Sequence, residues 1–396
     1  MEHADIAGAL DKLAQAEAGG GVSAAALVPL LNNLAKALAE HGRWEEAQAS
    51  LERTLSLQMA DSGPASLETA AALNSLAINH CLQYRYYEAL PLFERALKIR
   101  TDCLGTDHPE VARLLNNIGS LHNSLGQYRE AEECLGRALE IYRRHGLEES
   151  QSALNLLNNL IGLYKDTGRH GTAEETALRV FGLAEKILGP EHPLYATVLN
   201  NLAEAYAGNN KTSEARDLVL RGIELKRKQS GDHPELVYYY NNLADIHRRR
   251  EKFIEAEAAY REALSHGSRV LGPSHPLVGL THLGLGEMYQ LDQETSRAEA
   301  EYLAATAILE RSLGPDHPDV AEARCRYGGM LLEENRPEQA EALLQKALAS
   351  LERAFGPRHP KVRRVLSRLA QAALELGRPE EAKIHLRRMN EISGPA

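Results

Sequence analysis

Asparagines recur along the chain in a form that could bind the main chain of a peptide. They occur six times, always directly after a leucine or a tyrosine: Asn32-Asn33, Asn74, Asn116-Asn117, Asn158-Asn159, Asn200-Asn201 and Asn241-Asn242. A carboxamide has two donor hydrogens and one acceptor oxygen, so it can pair with a peptide backbone whatever side chains the peptide carries. The recurrence predicts a ladder of amides that reads a backbone. The alternative is that one asparagine of each pair bonds to the neighbouring helix and fixes the spacing between elements.

Six His-Pro pairs form a second recurring feature. They begin at His108, His192, His233, His275, His317 and His359. Packed helices are spaced by roughly 10 Å, whereas zinc needs its ligands at about 2 Å. The spacing argues against a metal site, and we expect these histidines to cap the first turn of a helix.

Common catalytic signatures do not occur in the sequence. It contains no phosphate-binding G-x-x-x-x-G-K-[ST] loop, no G-x-S-x-G turn and no H-E-x-x-H motif. Cys81, Cys103, Cys134 and Cys325 are widely spaced without a C-x-x-C pair, as expected of free thiols in a reducing compartment. The sequence therefore predicts no enzymatic activity and no cofactor.

A recurring alanine shows that these features belong to one repeating element. It occurs at Ala47, Ala89, Ala131, Ala173, Ala215, Ala256, Ala298, Ala340 and Ala382, at intervals of 42 residues except one of 41. The apolar spacing within a repeat is helical: Leu115, Ile118 and Gly119 share one face of a first helix, and Ala131 and Leu135 share one face of a second. We expect the small residues to let the two helices approach closely, and Leu135 to fill the space between repeats.

Glycine and proline mark the ends of these helices. Gly314 suits a left-handed helix end, and Pro315 prevents the helix from continuing. Pro318 suits the first turn of the next helix, where its missing N–H would be unpaired anyway. Since one helix pair of this size cannot bury its own apolar stripe, nine repeats must stack into a solenoid.

The pattern L-x-x-L-[AG]-x-x-[YH] followed by A-x3-[LFY]-x2-A resembles the tetratricopeptide repeat. The 42-residue period with LNNLA, EAE, RAL and LG-x-x-HP is similar to the repeats of kinesin light chains, and it covers residues 23–392. The chain lacks the long heptad coiled coil that would join such a protein to its motor. The resemblance implies an all-α, right-handed superhelical solenoid of nine antiparallel helix-turn-helix repeats. It also implies that the first helices line a concave groove that holds a peptide.

The expected peptide-binding residues lie along these first helices, beside the core-facing leucines. They are Asn33, Asn74, Asn116, Asn117, Ser120, Asn123, Asn158, Asn159, Asn200, Asn201, Asn241 and Asn242, with Arg326 and Arg368 at the far end.

Groove charge is predicted from the position one helical turn beyond the asparagines. It holds Lys36, Ile78, Ser120, Gly162, Glu204, Asp245 and Glu287, so the middle of the groove is expected to be acidic. The far end is basic, with Arg324, Arg326, Arg364 and Arg368 on the corresponding faces. Forked guanidinium groups suit an acidic segment of a partner. A solvated basic face is the alternative.

The two ends of the sequence differ from the repeats. Residues 1–22 are predicted to form an N-terminal capping helix or a flexible leader, with Ile6, Leu10 and Leu13 on one face. Residues 393–396 are predicted to be a disordered tail. No polar capping helix follows the last repeat, so the end near Leu369 and Leu386 is a candidate oligomer contact.

Composition narrows the class of function. A net charge of −10 disfavours a nucleic-acid binder, which needs a basic face. No apolar run approaches the roughly 20 residues that span a bilayer, and the first residues lack the order of a secretory signal. The sequence predicts a cytoplasmic, non-catalytic scaffold that binds a peptide segment of a partner protein. Two alternatives stay open: a self-assembling scaffold such as a homodimer, and a regulatory sensor of a small ligand or signalling peptide.

Overall fold

A computed structural model describes residues 2–18, 23–40 and 43–392, and helices are the regular elements of these ranges. The helices are α1 (Glu2–Ala18), α2 (Ala24–Glu40), α3 (Trp44–Asp61), α4 (Leu67–Leu82), α5 (Tyr86–Leu104), α6 (Pro109–Ser124), α7 (Tyr128–Arg144), α8 (Gln151–Asp166), α9 (His170–Ile187), α10 (Pro193–Gly208), α11 (Thr212–Ser230), α12 (Leu236–Arg249), α13 (Phe253–Val270), α14 (Pro276–Leu291), α15 (Thr295–Leu313), α16 (Pro318–Glu333), α17 (Pro337–Phe355), α18 (Pro360–Glu375) and α19 (Pro379–Asn390). No strand occurs in the described ranges. The prediction of an all-α repeat fold is confirmed.

Helices α2 to α19 form nine consecutive pairs, one for each predicted repeat. We call α2, α4 and every later even-numbered helix a first helix, and its successor the second helix of the same repeat. The chain divides into two compact units, Met1–Glu148 and Glu149–Ala396. Within each unit, a second helix packs on its own first helix and on the first helix of the following repeat.

The recurring alanines, which we call the alanine column, are buried inside the repeats. Its nine members are at most 1% exposed. Four residues beyond each alanine lies another apolar side chain, which is larger than alanine in every repeat but the fourth, where it is Ala177; in the first eight repeats this side chain is at most 7% exposed. Leu135 packs against Gly119 so closely that a Cβ there would lie 2.7 Å from the Leu135 Cγ. The predicted role of the small residues is therefore confirmed in this repeat.

Five of the six His-Pro histidines are the N-cap residues of their helices, as predicted, whereas α12 begins three residues after His233 and has Glu235 at its N-cap. Each Nδ1 accepts a hydrogen bond from the backbone N–H two residues later, at 3.1–3.3 Å. In two repeats that lack His-Pro, a serine hydroxyl accepts the capping hydrogen bond: Ser66 caps α4 and Ser150 caps α8. Because Nδ1 is the acceptor, the histidine cap needs a ring with that nitrogen unprotonated.

Helix ends follow the predicted left-handed geometry. Gly314, after α15, has φ 85°, and Asn210, after α10, has φ 59°. Glu251 and Gln293 occupy the equivalent turn in later repeats with φ 56° and 62°. These two side chains sit in a backbone region that disfavours residues with a Cβ.

Helix α1 packs on the first repeat. Ile6 and Leu13 are buried in one cluster with Leu27 and Leu31, whereas Leu10 remains 47% exposed, so the three expected apolar residues do not share one buried face. A capping role for this helix stays a prediction. The glycines at 19–21 and the tail at 393–396 lie outside the described residues. None of the described helices is long and apolar enough to cross a membrane.

Candidate functional site

The candidate site is the surface formed by neighbouring first helices. The asparagines of the sequence pattern lie there, most of them half-buried, with Asn32 and Asn33 exposed and Asn200 7% exposed. Ser120 and Asn123 follow one and two turns later on α6, and both are half-buried. Whether these residues bind a peptide stays a prediction.

Three pairs of asparagines bond directly between neighbouring repeats. The second asparagine of one repeat donates through Nδ2 to Oδ1 of the first asparagine in the preceding repeat. These bonds, which we call amide rungs, are Asn117 to Asn74 at 2.9 Å, Asn201 to Asn158 at 3.1 Å, and Asn242 to Asn200 at 3.0 Å. The structural alternative left open by the sequence therefore applies to these three pairs.

An amide rung does not use the whole hydrogen-bonding capacity of its two side chains. The Asn201–Asn158 bond takes one amide hydrogen of Asn201 and one lone pair of Asn158. By valence the earlier asparagine keeps two donor hydrogens and the later one keeps its acceptor oxygen. A structural role and a role in backbone recognition are therefore compatible.

Asn241 departs from the pattern. Its Nδ2 donates to Oγ1 of Thr281 on α14 at 3.0 Å, and Thr281 is completely buried. The Asn241 Oδ1 is buried as well and makes no hydrogen bond. Its side chain lies inside the junction between repeats rather than on the expected binding surface.

A cleft of about 420 Å³ lies between α8, α10 and α12 in the second unit. Its polar lining includes Lys165, Glu204, Asn242, Asp245 and Arg249. The Lys165 ammonium on α8 contacts the Glu204 carboxylate on α10, the first helix of the next repeat. With Asp166 on the same lining, the structure brings a predicted site asparagine together with three carboxylates and two cations.

The predicted acidic middle of the groove is largely neutralised by ion pairs. Asp245 contacts Arg248 at 3.1 Å and accepts a hydrogen bond from the Tyr260 hydroxyl at 2.6 Å. Burial raises the pKa of Tyr260, so this hydroxyl keeps its proton and remains a donor. Glu287 is paired with Arg326. Each of these carboxylates has a cation on its own helix or on a neighbouring one. The predicted groove charge used one position of each first helix and so left these cations out.

Arg326 and Arg368 lie close together near the far end, as expected. They line a small cavity of about 150 Å³ with Arg248, Glu287 and Tyr302. Burial disfavours the Arg326 cation, but the carboxylates of Glu287 and Glu322 outweigh it and raise the pKa of Arg326 above its ordinary value. Arg368 donates to the backbone carbonyl of Cys325 in the preceding first helix.

Arg324 does not belong to this basic surface. Its side chain is buried, and its guanidinium bonds to Glu310 at 2.8 Å and to the Pro315 carbonyl at 2.8 Å. It ties α16 to the preceding helix and turn. The expectation that Arg324 would line the groove is wrong, because its long side chain bonds to these acceptors at the junction between α15 and α16.

The first unit contains an apolar cleft that the sequence reading missed. Its volume is about 340 Å³, and its lining includes Asn32, Leu51, Ile78 and Leu82. Ile78 and Leu82 remain 40% and 48% exposed. Ile78 could have indicated this cleft, because it is a large apolar residue at a position one helical turn beyond the asparagines, where the groove was expected.

Sequence comparison decides the family. A profile described as tetratricopeptide repeat matches residues 68–144, 152–228, 235–311, 280–353 and 319–389, and a second profile of the same description matches 32–102. The chain belongs to the tetratricopeptide repeat family. Proteins built from this repeat generally mediate protein–protein interaction and are typically non-catalytic.

Solved structures of tetratricopeptide repeat (TPR) type are similar to this chain over about half its length. BtubC (BKLC) from P. vanneervenii is 18% identical, with 58% of this chain and 89% of that chain covered and a TM-score of 0.47. A candidate kinesin light chain with nearly identical TPR-like repeats from Podosopora anserina is 21% identical, with 51% and 96% covered and a TM-score of 0.43. A comparison with curated protein sequences gave no match.

Proposed function

We propose that this tetratricopeptide repeat protein is a non-catalytic scaffold that holds an extended segment of a partner protein along its first helices. The observation that carries the proposal is the cleft between α8, α10 and α12, because it combines an amide rung with groups of both charges. The family supports protein binding in general. The proposal adds the location and the kind of ligand.

Rigid placement of the amides supports binding of a flexible segment. The Asn242 Nδ2 is held by Asn200 at 3.0 Å and by Glu204 at 2.9 Å, so its orientation is fixed before a partner arrives. Little side-chain ordering then opposes association. A peptide main chain that lies in the cleft would meet the acceptor oxygen of Asn242, whereas Lys165 and Arg249 at its sides would select the charge of its side chains.

The arginine cavity near the far end suits an acidic side chain of the same partner. Arg248, Arg326 and Arg368 line it with a single carboxylate, Glu287. Guanidinium groups bind carboxylates in a forked geometry. Since nearby glutamates already neutralise much of this charge, we expect one monoanionic carboxylate there rather than a long acidic run. No nucleic acid or membrane is part of the proposal, and the cytoplasm is its expected setting.

Selection of peptides from a random library displayed on phage tests the groove. Arg249→Glu reverses a charge in the cleft, and Arg358→Glu is the matched control because that arginine is exposed outside it. We expect the selected peptides to lose affinity for the Arg249 variant by roughly tenfold or more and to bind the control like the parent protein. Equal binding to both variants, or no selected peptide at all, would contradict the proposal.

The acidic preference has its own readout in the same selection. Peptides that bind the parent protein should be enriched in Asp or Glu, and Arg368→Gln should remove that enrichment. Because the change also removes the hydrogen bond to the Cys325 carbonyl, circular dichroism checks that the variant folds. Selected peptides without acidic residues would show that the arginine cavity plays no part.

A further inference from the structure

The second repeat carries a polar side chain at a core position. Asn79 on α4 is 3% exposed. The equivalent position of the other eight repeats holds an apolar residue: Ala37, Leu121, Leu163, Ala205, Ile246, Met288, Met330 and Ala372. In the seven repeats after the second, these residues are at most 3% exposed. Asn79 is therefore a carboxamide at a position that the rest of the chain fills with apolar atoms.

The opposite exchange occurs one residue earlier. Ile78 is 40% exposed at a position where the other repeats carry small, polar or charged residues: Lys36, Ser120, Gly162, Glu204, Asp245, Glu287, Gly329 and Gln371. Leu82, one helical turn after Ile78, is 48% exposed. Burying a carboxamide costs free energy unless its polar atoms are paired, and an exposed isoleucine gains little from packing. Departures of this kind from the pattern of a chain are typical of functional sites.

Both residues line the apolar cleft of about 340 Å³ in the first unit. Asn79 forms its buried side together with Leu51, which is 7% exposed and lies on α3. Ile78 and Leu82 form part of its rim. Sites for small molecules have volumes of about 300–1,000 Å³ and are lined mainly by apolar groups, with a few polar groups that orient the ligand. The cleft has this composition.

The polar group that Asn79 supplies is a hydrogen-bond acceptor. Its Nδ2 donates to the backbone carbonyl of Trp44 at 3.3 Å. Its Oδ1 is shielded from solvent and accepts no hydrogen bond from the residues that the structure describes, which is rare for a buried polar atom. The bond to Trp44 is long, and the last torsion of an asparagine has a broad energy well. A small rotation can therefore turn Oδ1 toward a donor in the cleft.

We propose that this cleft binds a small, neutral, mainly apolar molecule with one hydroxyl or N–H donor, such as a phenol. The donor pairs with Asn79 Oδ1, and the apolar part contacts Leu51, Ile78 and Leu82. Lys36, an exposed residue of the lining, disfavours a protonated amine as the donor.

The position of the exchanged residues favours a small molecule over a peptide. A peptide that runs along the first helices would meet equivalent positions in successive repeats, whereas the exchange at Ile78 and Asn79 occurs in one repeat. A ligand of the size of one cleft accounts for this. The proposed peptide cleft belongs to the second unit, so either proposal can fail alone.

Calorimetric titration of the full chain with two isomeric probes tests the proposal. The probes are 4-ethylphenol and 4-methylanisole, which have the same atoms, but only the phenol has a donor. We expect the protein to bind the phenol roughly fivefold more tightly or better. Asn79→Leu removes the acceptor and places an apolar residue there, as in the next two repeats. It should abolish this preference, keep the affinity for 4-methylanisole and raise the melting temperature.

A second pair of variants tests the location. Ile78→Asp should weaken binding of both probes by roughly tenfold or more. Leu10→Asp is the matched control, because Leu10 is 47% exposed on α1 and lies outside the cleft lining. Circular dichroism checks that each variant folds. Three results would each overturn the proposal: no binding of 4-ethylphenol, an equal preference in the parent protein and the Asn79 variant, or equal binding by the Ile78 and Leu10 variants.

Discussion

Asn242→Ala tests whether the amide rungs hold neighbouring repeats together. The substitution removes a hydrogen bond to Asn200 Oδ1 at 3.0 Å and one to Glu204 Oε1 at 2.9 Å. A hydrogen bond between neutral groups contributes about 0.5–1.5 kcal/mol and one to a charged group about 1.5–3 kcal/mol. Because Asn242 is half-buried, the lower limits apply. We therefore expect the free energy of unfolding to fall by about 2 kcal/mol.

The measurement is chemical unfolding followed by circular dichroism, with hydrogen exchange of the α10 and α12 amides as a local readout. In a repeat protein, weakening one junction mainly destabilises the adjacent repeats. The amide exchange rates should therefore increase more in α10 and α12 than in α16. Asn33→Ala is the matched control, since Asn33 is an exposed member of the same sequence pattern. Its unfolding energy should stay within about 0.5 kcal/mol of the parent value.

A double-mutant cycle with Asn200→Ala isolates the rung itself. We expect a coupling energy of about 0.5–1.5 kcal/mol between Asn200 and Asn242. An unfolding curve for Asn242→Ala that matches that of Asn33→Ala would refute the structural account. Zero coupling in the cycle would do so as well, because the effect would then come from Glu204 alone.

Three further substitutions follow from packing, capping and backbone geometry. Leu135→Ala should destabilise the protein by about 2–5 kcal/mol because the side chain is fully buried; a melting curve like that of the parent would contradict this. Burial lowers the pKa of His275, so the native state favours its neutral form, and the stability from that cap is present above the unfolded pKa of about 6.5 and is lost as pH falls below it. His275→Ser should therefore reduce the drop in melting temperature between neutral and mildly acidic pH, and an unchanged drop would show that this histidine does not contribute. Gln293→Gly should stabilise the protein by about 1 kcal/mol, since φ is 62° there, whereas Gln371→Gly, within α18, should destabilise it by roughly the same amount.

The repeat, its helices and its caps were predictable because they depend on local chemistry. His-Pro marks a helix start through one short-range hydrogen bond, and Gly314 marks a helix end through its own φ. The buried alanine column follows from spacing alone. Each of these features is determined within a few residues along the chain, so one repeat predicts the next.

The hydrogen-bond partners of polar side chains at the repeat junctions were not predictable in the same way. Arg324 occupies a groove-facing register position, yet its guanidinium reaches Glu310 and Pro315 in the junction. Asn241 likewise turns to Thr281, although its neighbour Asn242 forms a rung. Such choices depend on which acceptors the adjacent repeat supplies: Thr281 lies 40 positions from Asn241, and Pro315 and Glu310 lie 9 and 14 positions from Arg324. Register gives the starting direction of a side chain but not its final partner.

The amide rungs also give the surface a direction. In each rung the donor belongs to the later repeat and the acceptor to the earlier one. The surface therefore has a direction, as a single β-strand does. A ligand that runs from the earlier to the later repeats meets a different order of donors and acceptors from one that runs the opposite way. A bound main chain would present its own N–H and C=O groups to fixed partners in only one orientation. We expect a ligand peptide and the peptide of reversed sequence to bind with different affinities, even where their compositions are identical.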